Sequence, residues 1–189
     1  SRELHDDLSK RFTALISAIG KGEKEGNSPE DIAKGSLEYL KETMWAVRDE
    51  VITFHALLKH IKNYPDQNKA LSSIDVRLSK GDVADFDMNP VQAIRFFRIA
   101  KEALKNAVQH ADTDEMLVKV EQEKGEIIIT FQDKGKGFNV NAMRKGDGVR
   151  AMKSFAKQVE AEFKIMSSPG AGTEIFVTFK KWSFRLNLS

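Results

Sequence analysis

Apolar residues at the start of the chain recur at helical spacing. Leu4, Leu8, Phe12, Leu15, Ile16 and Ile19 lie three and four apart and predict an amphipathic helix over residues 2–20. Gly20 and the polar run GKGEKEGN end it, because glycine supplies the backbone freedom that a helix exit needs. A second start follows in NSPEDI, with Ser28 as N-cap, Pro29 in the first turn, and Glu30 and Asp31 at the positive end of the helix dipole. From there Ala33, Leu37, Leu40, Met44, Val47 and Val51 alternate in steps of four and three, the roughly 3.5-residue repeat of a supercoiled seam. Two helices cannot enclose such a seam alone. A four-helix bundle made by two chains is expected, in preference to a hairpin packed on its own chain.

Helical character is expected to run on through FHALLKHIKNY to Tyr64 and Pro65, with a domain boundary near residue 50. Beyond it the period changes from helical to two. IDVRLS (74–79) alternates like a strand, and MLVKVEQ (116–122) with EIIITFQD (126–133) predicts a β-hairpin turned at EKG. EAEFKIMSS (160–168) and TEIFVTFK (173–180) predict a second hairpin turned at PGAG, with helices near 90–111 and 149–159. That order makes an α+β layer, a mixed sheet with helices on one face. The domains are thus expected at residues 1–50, a helical hairpin, and 51–183.

Composition narrows the partners more than the fold. Thirty basic against twenty-eight acidic residues give a net charge of +2, and no basic stripe interleaved with aromatics appears, so no nucleic-acid partner is expected. The absence of cysteine rules out disulfides and thiolate metal sites and fits a reducing compartment. No apolar run of about 18 residues occurs, so no membrane contact is expected within this stretch, and no signal-peptide pattern is seen. The helical pattern is under way at residue 2, and the chain is expected to be part of a longer protein.

Four short segments carry candidate chemistry. RIAKEALKNAVQHA sets Glu102 and Asn106 four apart on one helix face. QDKGKGF sets Asp133 at a strand end, followed by Gly135 and Gly137. KGDGVRAM opens a helix with Gly146 and Gly148, and SPGAGTEIFVTF turns a hairpin with Gly170, Gly172 and Thr173. A carboxylate at a strand end accepts a hydrogen bond from the exocyclic amine of adenine, where guanine has a carbonyl. Glycines after it let the backbone approach a flat ring. A glycine pair at a helix N-terminus offers N–H groups to phosphate. The Asn106 carbonyl is an oxygen ligand for Mg²⁺. Singly, each is weak: DKGKG reads as a hairpin turn, GDG as a loop and Glu-x-x-x-Asn as a solvated face.

Their order is more specific. An Asn helix, Asp-x-Gly-x-Gly, Gly-x-Gly and then Gly-x-Gly-Thr resembles the successive boxes of the GHKL ATPase superfamily, which includes histidine kinases and gyrase-type ATPases. The resemblance spans residues 51–181 and implies a Bergerat-type α/β sandwich that binds ATP with Mg²⁺. LHDDL on the first helix resembles the phosphoacceptor box of sensor histidine kinases in which Asp follows His, and KEALKNAVQHA and MWAVRDEV are similar to the same branch. The resemblance therefore implies His5 as phosphoacceptor, with Asp6 as general base or orienter and Glu102 as a further catalytic carboxylate. It also implies a homodimer, a response-regulator receiver domain as partner, and a cytoplasmic setting within a protein anchored in the inner or plasma membrane. A hinge near Arg48–Ile52 would let the nucleotide domain reach His5, and residues 138–148 would cover the phosphates, with Lys136, Arg144 and Lys145 as candidate cations.

Three positions depart from that pattern. Lys10 stands where phosphatase-competent members often have Gln, Gln109 where a lysine is common, and Lys105 where a neutral residue is usual. They motivate an alternative, a nucleotide-binding dimeric scaffold with weak or no kinase activity. A GHKL serine kinase of the anti-sigma type is a third reading, and leaves LHDDL without a role. His55, His60 and His110 have no motif context and are expected to be structural.

Overall fold

A computed structural model describes residues 44–46, 51–140 and 147–180. His5, Asp6 and Lys10, with the whole expected helical hairpin up to residue 43, lie outside the described residues, as do Arg144, Lys145 and Gly146.

Period-two alternation builds the sheet. Ile127, Ile129 and Phe131 are buried along Glu126–Asp133, and Ile175, Val177 and Phe179 along Thr173–Lys180. Numbered in chain order, the strands are β1 (Ile52–Thr53), β2 (Asp75–Lys80), β3 (Asp87–Met88), β4 (Glu115–Glu123), β5 (Glu126–Asp133), β6 (Glu162–Ser167) and β7 (Thr173–Lys180). Five of them form a mixed sheet in the order β2-β4-β5-β7-β6. Only the β2–β4 pair is parallel; the β4–β5, β5–β7 and β6–β7 pairs are antiparallel. Register aligns the inward side chains in rows: Ile165, Ile175, Phe131 and Val118 in one, Phe163, Val177, Ile129 and Val120 in the next.

Three helices supply the other half of the same core: α1 (Phe54–Asn63), α2 (Pro90–Asn106) and α3 (Asp147–Gln158). Asn89 starts α2 with a capping box, accepting from the Gln92 amide at 2.9 Å while its own N–H is held by the Gln92 side chain at 3.1 Å. Phe96, Phe97, Ile99, Ala100, Ala103 and Leu104 are then buried in that core. Burying each large apolar side chain contributes on the order of 1.5–3 kcal/mol.

The expected continuous helix through Tyr64 is corrected here. Ile52 and Thr53 are extended and pair antiparallel with Met88 and Asp87, and α1 begins afresh at Phe54. The β-branched run Val51-Ile52-Thr53 disfavours helix, and the Thr53 hydroxyl accepts the Ala56 amide at 3.2 Å as an N-cap. Beside it the Phe54 amide donates to the Phe86 carbonyl at 2.8 Å. Among the described residues no helix is long and apolar enough to cross a membrane.

Candidate functional site

Alternation calls for apolar residues at the inward positions where β5 and β6 end and β7 begins. The sequence places Asp133, Thr173 and Ser167 there, and register sets them side by side: Ser167 opposite Thr173, Thr173 opposite Asp133, Asp133 opposite Met116. A row of polar groups thus closes the apolar rows at one end of the sheet. Asp133 is 7% exposed and Thr173 8%. Buried groups of this kind must be hydrogen-bonded or reserved for a ligand.

A cavity of about 680 Å³ lies over that row, within the roughly 300–1,000 Å³ typical of small-molecule sites. Its floor is Met116, Phe131, Ile165 and Ile175, with Asp133 and Thr173 at the sheet end. Helix α2 and the turn after it contribute Glu102, Lys105, Asn106 and His110; the loop after β5 contributes Lys136, Gly137, Phe138 and Asn139; α3 contributes Gly148 and Val149. One pole is therefore apolar with a single carboxylate, and the other carries charged and amide groups.

Asp133 is held from the loop it begins. Its Oδ1 accepts the Gly135 amide at 2.9 Å, and among the described residues Oδ2 has no hydrogen-bond partner. The glycines that follow are explained first by the protein's own packing. A Cβ on Gly135 would overlap the Ala111 carbonyl, and the neighbouring Lys136 amide donates to that same oxygen at 2.8 Å. That close approach exists because α2 widens into a π turn, Ala107–Ala111, directly after Asn106. Single π turns are frequent at functional sites. Gly172, at φ 73°, would drive a Cβ into the Asp133 carbonyl. Gly137 meets Ser168 and Gly172 in the same way, whereas Gly170 turns the chain in open space.

Glu102 and α3 meet as well. A Cβ on Gly148 would overlap the Glu102 carboxylate, so the helix start packs directly against that acid. Lys105 Nζ lies 3.7 Å from Glu102 Oε2, a pair one turn apart.

Of the residues expected from sequence, Glu102, Asn106, Asp133, Gly137, Gly148 and Thr173 line one cavity. Gly135 and Gly172 stand behind it, pressed on Ala111 and Asp133, and Gly170 shapes the hairpin turn. Besides the apolar floor, two polar residues given no role from sequence belong to the site. His110 lines the cavity four positions after Asn106, a spacing that was itself a signal. Ser167 completes the polar row, and only the strand register reveals it.

The residues present suit an adenine nucleotide. A buried carboxylate is suited to accept from an amine, the apolar floor suits a planar base, and Lys136 with the α3 N-terminus suits phosphates. Asn106 offers a neutral oxygen on the same wall, and among the described residues no group of three or more His, Cys, Asp or Glu is assembled to hold a metal. A hard divalent ion with one protein oxygen, phosphates and waters as its other ligands is compatible with that wall.

Residues 91–183 match the family described as histidine kinase-, DNA gyrase B- and HSP90-like ATPase. The nitrate/nitrite sensor protein NarX of Escherichia coli is 25% identical over 189 residues, an alignment covering 95% of this chain and 32% of NarX. The sensor protein VraS of Staphylococcus haemolyticus is 29% identical over 192 residues, covering 94% of this chain and 53% of VraS. The chain thus spans about a third to a half of the length of these relatives. In fold it is similar to the histidine kinase domain of the Erythrobacter litoralis blue-light activated histidine kinase, with a TM-score of 0.60 at 20% identity over 97% of this chain and 88% of that one.

Proposed function

We propose, for a chain that belongs to the sensor histidine kinases with a GHKL-type ATPase domain, that it binds ATP in the cavity described and transfers the γ-phosphoryl group to His5. The observation that carries this is the meeting of a buried, half-satisfied Asp133 with Glu102 and Asn106 across one cavity.

Each residue has a task in that reaction. Asp133 accepts the adenine amine through Oδ2 while Gly135 fixes Oδ1. The apolar floor excludes water from the base. Lys136 and the α3 N-terminus favour the triphosphate, and Asn106 would offer an oxygen to Mg²⁺, which when bound would neutralise phosphate charge. The neutral imidazole nitrogen of His5 attacks the γ-phosphorus, the bond to the β,γ-bridging oxygen breaks, and ADP leaves. Asp6 orients the ring or takes its proton. Positioning and charge neutralisation carry most of such a transfer. The phosphoryl group then passes to an Asp of a response-regulator receiver domain. In this reading the hairpin of residues 1–50 forms a homodimeric bundle, and the fragment works on the cytoplasmic side of a membrane-anchored sensor.

Incubation with γ-labelled ATP and Mg²⁺ tests the reading. Acid-labile, alkali-stable label that disappears in His5→Ala is expected; acid-stable label would point to a serine kinase instead.

A second reading has one observation behind it. The Lys105–Glu102 pair at 3.7 Å engages the acid that a kinase would keep available. A nucleotide-binding dimeric scaffold with weak or no transfer would bind ATP and take no label over hours.

A further inference from the structure

Ser167 occupies an unexpected slot. Along the edge strand β6 the inward positions are Phe163, Ile165 and Ser167, so a third apolar residue would continue the pattern. Its hydroxyl instead joins three segments. It donates to the Gly172 carbonyl at 2.7 Å, accepts the Phe138 amide at 2.9 Å, and lies 3.3 Å from the Thr173 hydroxyl. With its one proton given to Gly172, Ser167 Oγ is the acceptor and Thr173 the donor in that last contact.

These partners are not scattered. Phe138 and Thr173 line the cavity, and Gly172 presses on the Asp133 carbonyl. The loop after Asp133 is tied to the β6–β7 turn by one backbone bond, Gly170 N–H to the Lys136 carbonyl at 2.7 Å, and by the Ser167 hydroxyl. Phe138 lies outside any strand, so the Ser167 oxygen takes the place of a ladder partner for its amide.

We propose that Ser167 is a positioning residue of the nucleotide cavity, fixing the Phe138 wall and the Thr173 hydroxyl relative to the Asp133 carboxylate that reads the base. Its role rests on the nucleotide reading above. Without the hydroxyl, the Phe138 amide and Thr173 lose their shared acceptor, and the loop and turn lose one of the ties between them.

Two measurements on the full chain test it. Hydrogen exchange read at the Phe138 amide, without nucleotide, should be slow in the wild type, fast in Ser167→Ala and slow again in Ser167→Thr. Calorimetric titration with ADP and Mg²⁺ should show Ser167→Ala about tenfold weaker than wild type, the size expected for losing one hydrogen-bonded hub. Ser167→Thr should recover most of that loss, and the exposed neighbour Ser168→Ala should lose nothing. Should Ser167→Ala fail to fold, Ser167→Cys, a near-isostere with a weak hydrogen bond, should lie between wild type and that loss. A Ser167→Ala chain with undiminished ADP affinity, or a Ser167→Thr chain as weak as Ala, would overturn the role of Ser167 alone. A wild-type chain that takes up no ADP would overturn the nucleotide reading and this proposal together, whatever the Phe138 amide does.

Discussion

The two ends of the sheet are built from the same strands and are finished in opposite ways. At the end where β5 starts and β7 stops, aromatic rings fill the space. Phe54 stacks on Phe86 at 4.7 Å between centroids, and Phe179 meets Phe96 at 4.8 Å and Phe54 edge-on at 6.0 Å. A polar clasp lies beside them: Asp85 Oδ1 accepts the His55 and Phe86 amides at 2.8 and 3.1 Å, and Lys80 donates to the Val83 carbonyl at 3.1 Å. At the other end, where β5 stops and β7 starts, the inward residues turn polar and the space is left open as a cavity. Rings seal one end, and backbone held tight by glycines frames the other. Stability and binding should therefore be separable between them.

The largest separation is expected between Asp133→Ala and Phe179→Ala. Asp133→Ala should lower adenine-nucleotide affinity by about a hundredfold or more, the scale of removing a buried group that reads a polar partner, with the fold retained in circular dichroism. Phe179→Ala should cost about 3–5 kcal/mol in urea unfolding while ADP affinity below the transition stays within about twofold of wild type. If either variant shows the other's phenotype, the two ends are not independent.

Two turn glycines sharpen the comparison. Gly125, in the β4–β5 turn at φ 84°, has nothing within 4 Å of an added Cβ, whereas Gly172 at φ 73° faces the Asp133 carbonyl. Gly125→Ala should cost about 1–2 kcal/mol, the left-handed backbone penalty, with no change in ADP affinity. Gly172→Ala should cost more than Gly125→Ala and lose ADP affinity as well, because the turn must move off Asp133. Equal losses in the two variants would mean that Gly172 is only a turn residue.

The smallest effect is one of pH at the sealed end. Burial pushes the Asp85 carboxyl up, but the His55 amide, the Thr53 hydroxyl, the His55 charge and the Phe86 amide together outweigh it and hold the group below its ordinary 3.8. A lowered carboxyl adds stability that is complete above 3.8 and is lost as pH falls through the lowered value. The urea midpoint of the wild type should therefore drop below pH 4 more steeply than that of Asp85→Asn, with the two slopes alike at neutral pH. Parallel curves throughout would remove Asp85 from the clasp.

The same contrast explains what could be read from sequence. Long alternating strands such as EIIITFQD and TEIFVTFK show their faces through period two, and both hairpins lie close to their expected limits. Strands β1 and β3 are two residues each, too short to show any period, so the helical pattern in the sequence runs on across Ile52 and Thr53. At the cavity, Asp133 and Thr173 stood out because each flanks glycines in a recognisable motif. Ser167 looked like any strand-end serine until register placed it beside them. The crowding at Gly135 depends on a π turn at Ala107–Ala111, and no local propensity announces where a helix will take in one extra residue. Contacts between distant segments, rather than local pattern, decided these cases.

Whether Asp133 reads an adenine amine is tested most directly by a paired calorimetric titration of the full chain with ADP and GDP in the presence of Mg²⁺. Saturable binding of one ADP per chain, with GDP at least about tenfold weaker, is the predicted result, since guanine sets a carbonyl against the carboxylate where adenine offers a donor. Equal affinity for the two nucleotides, or no binding of either, would contradict it.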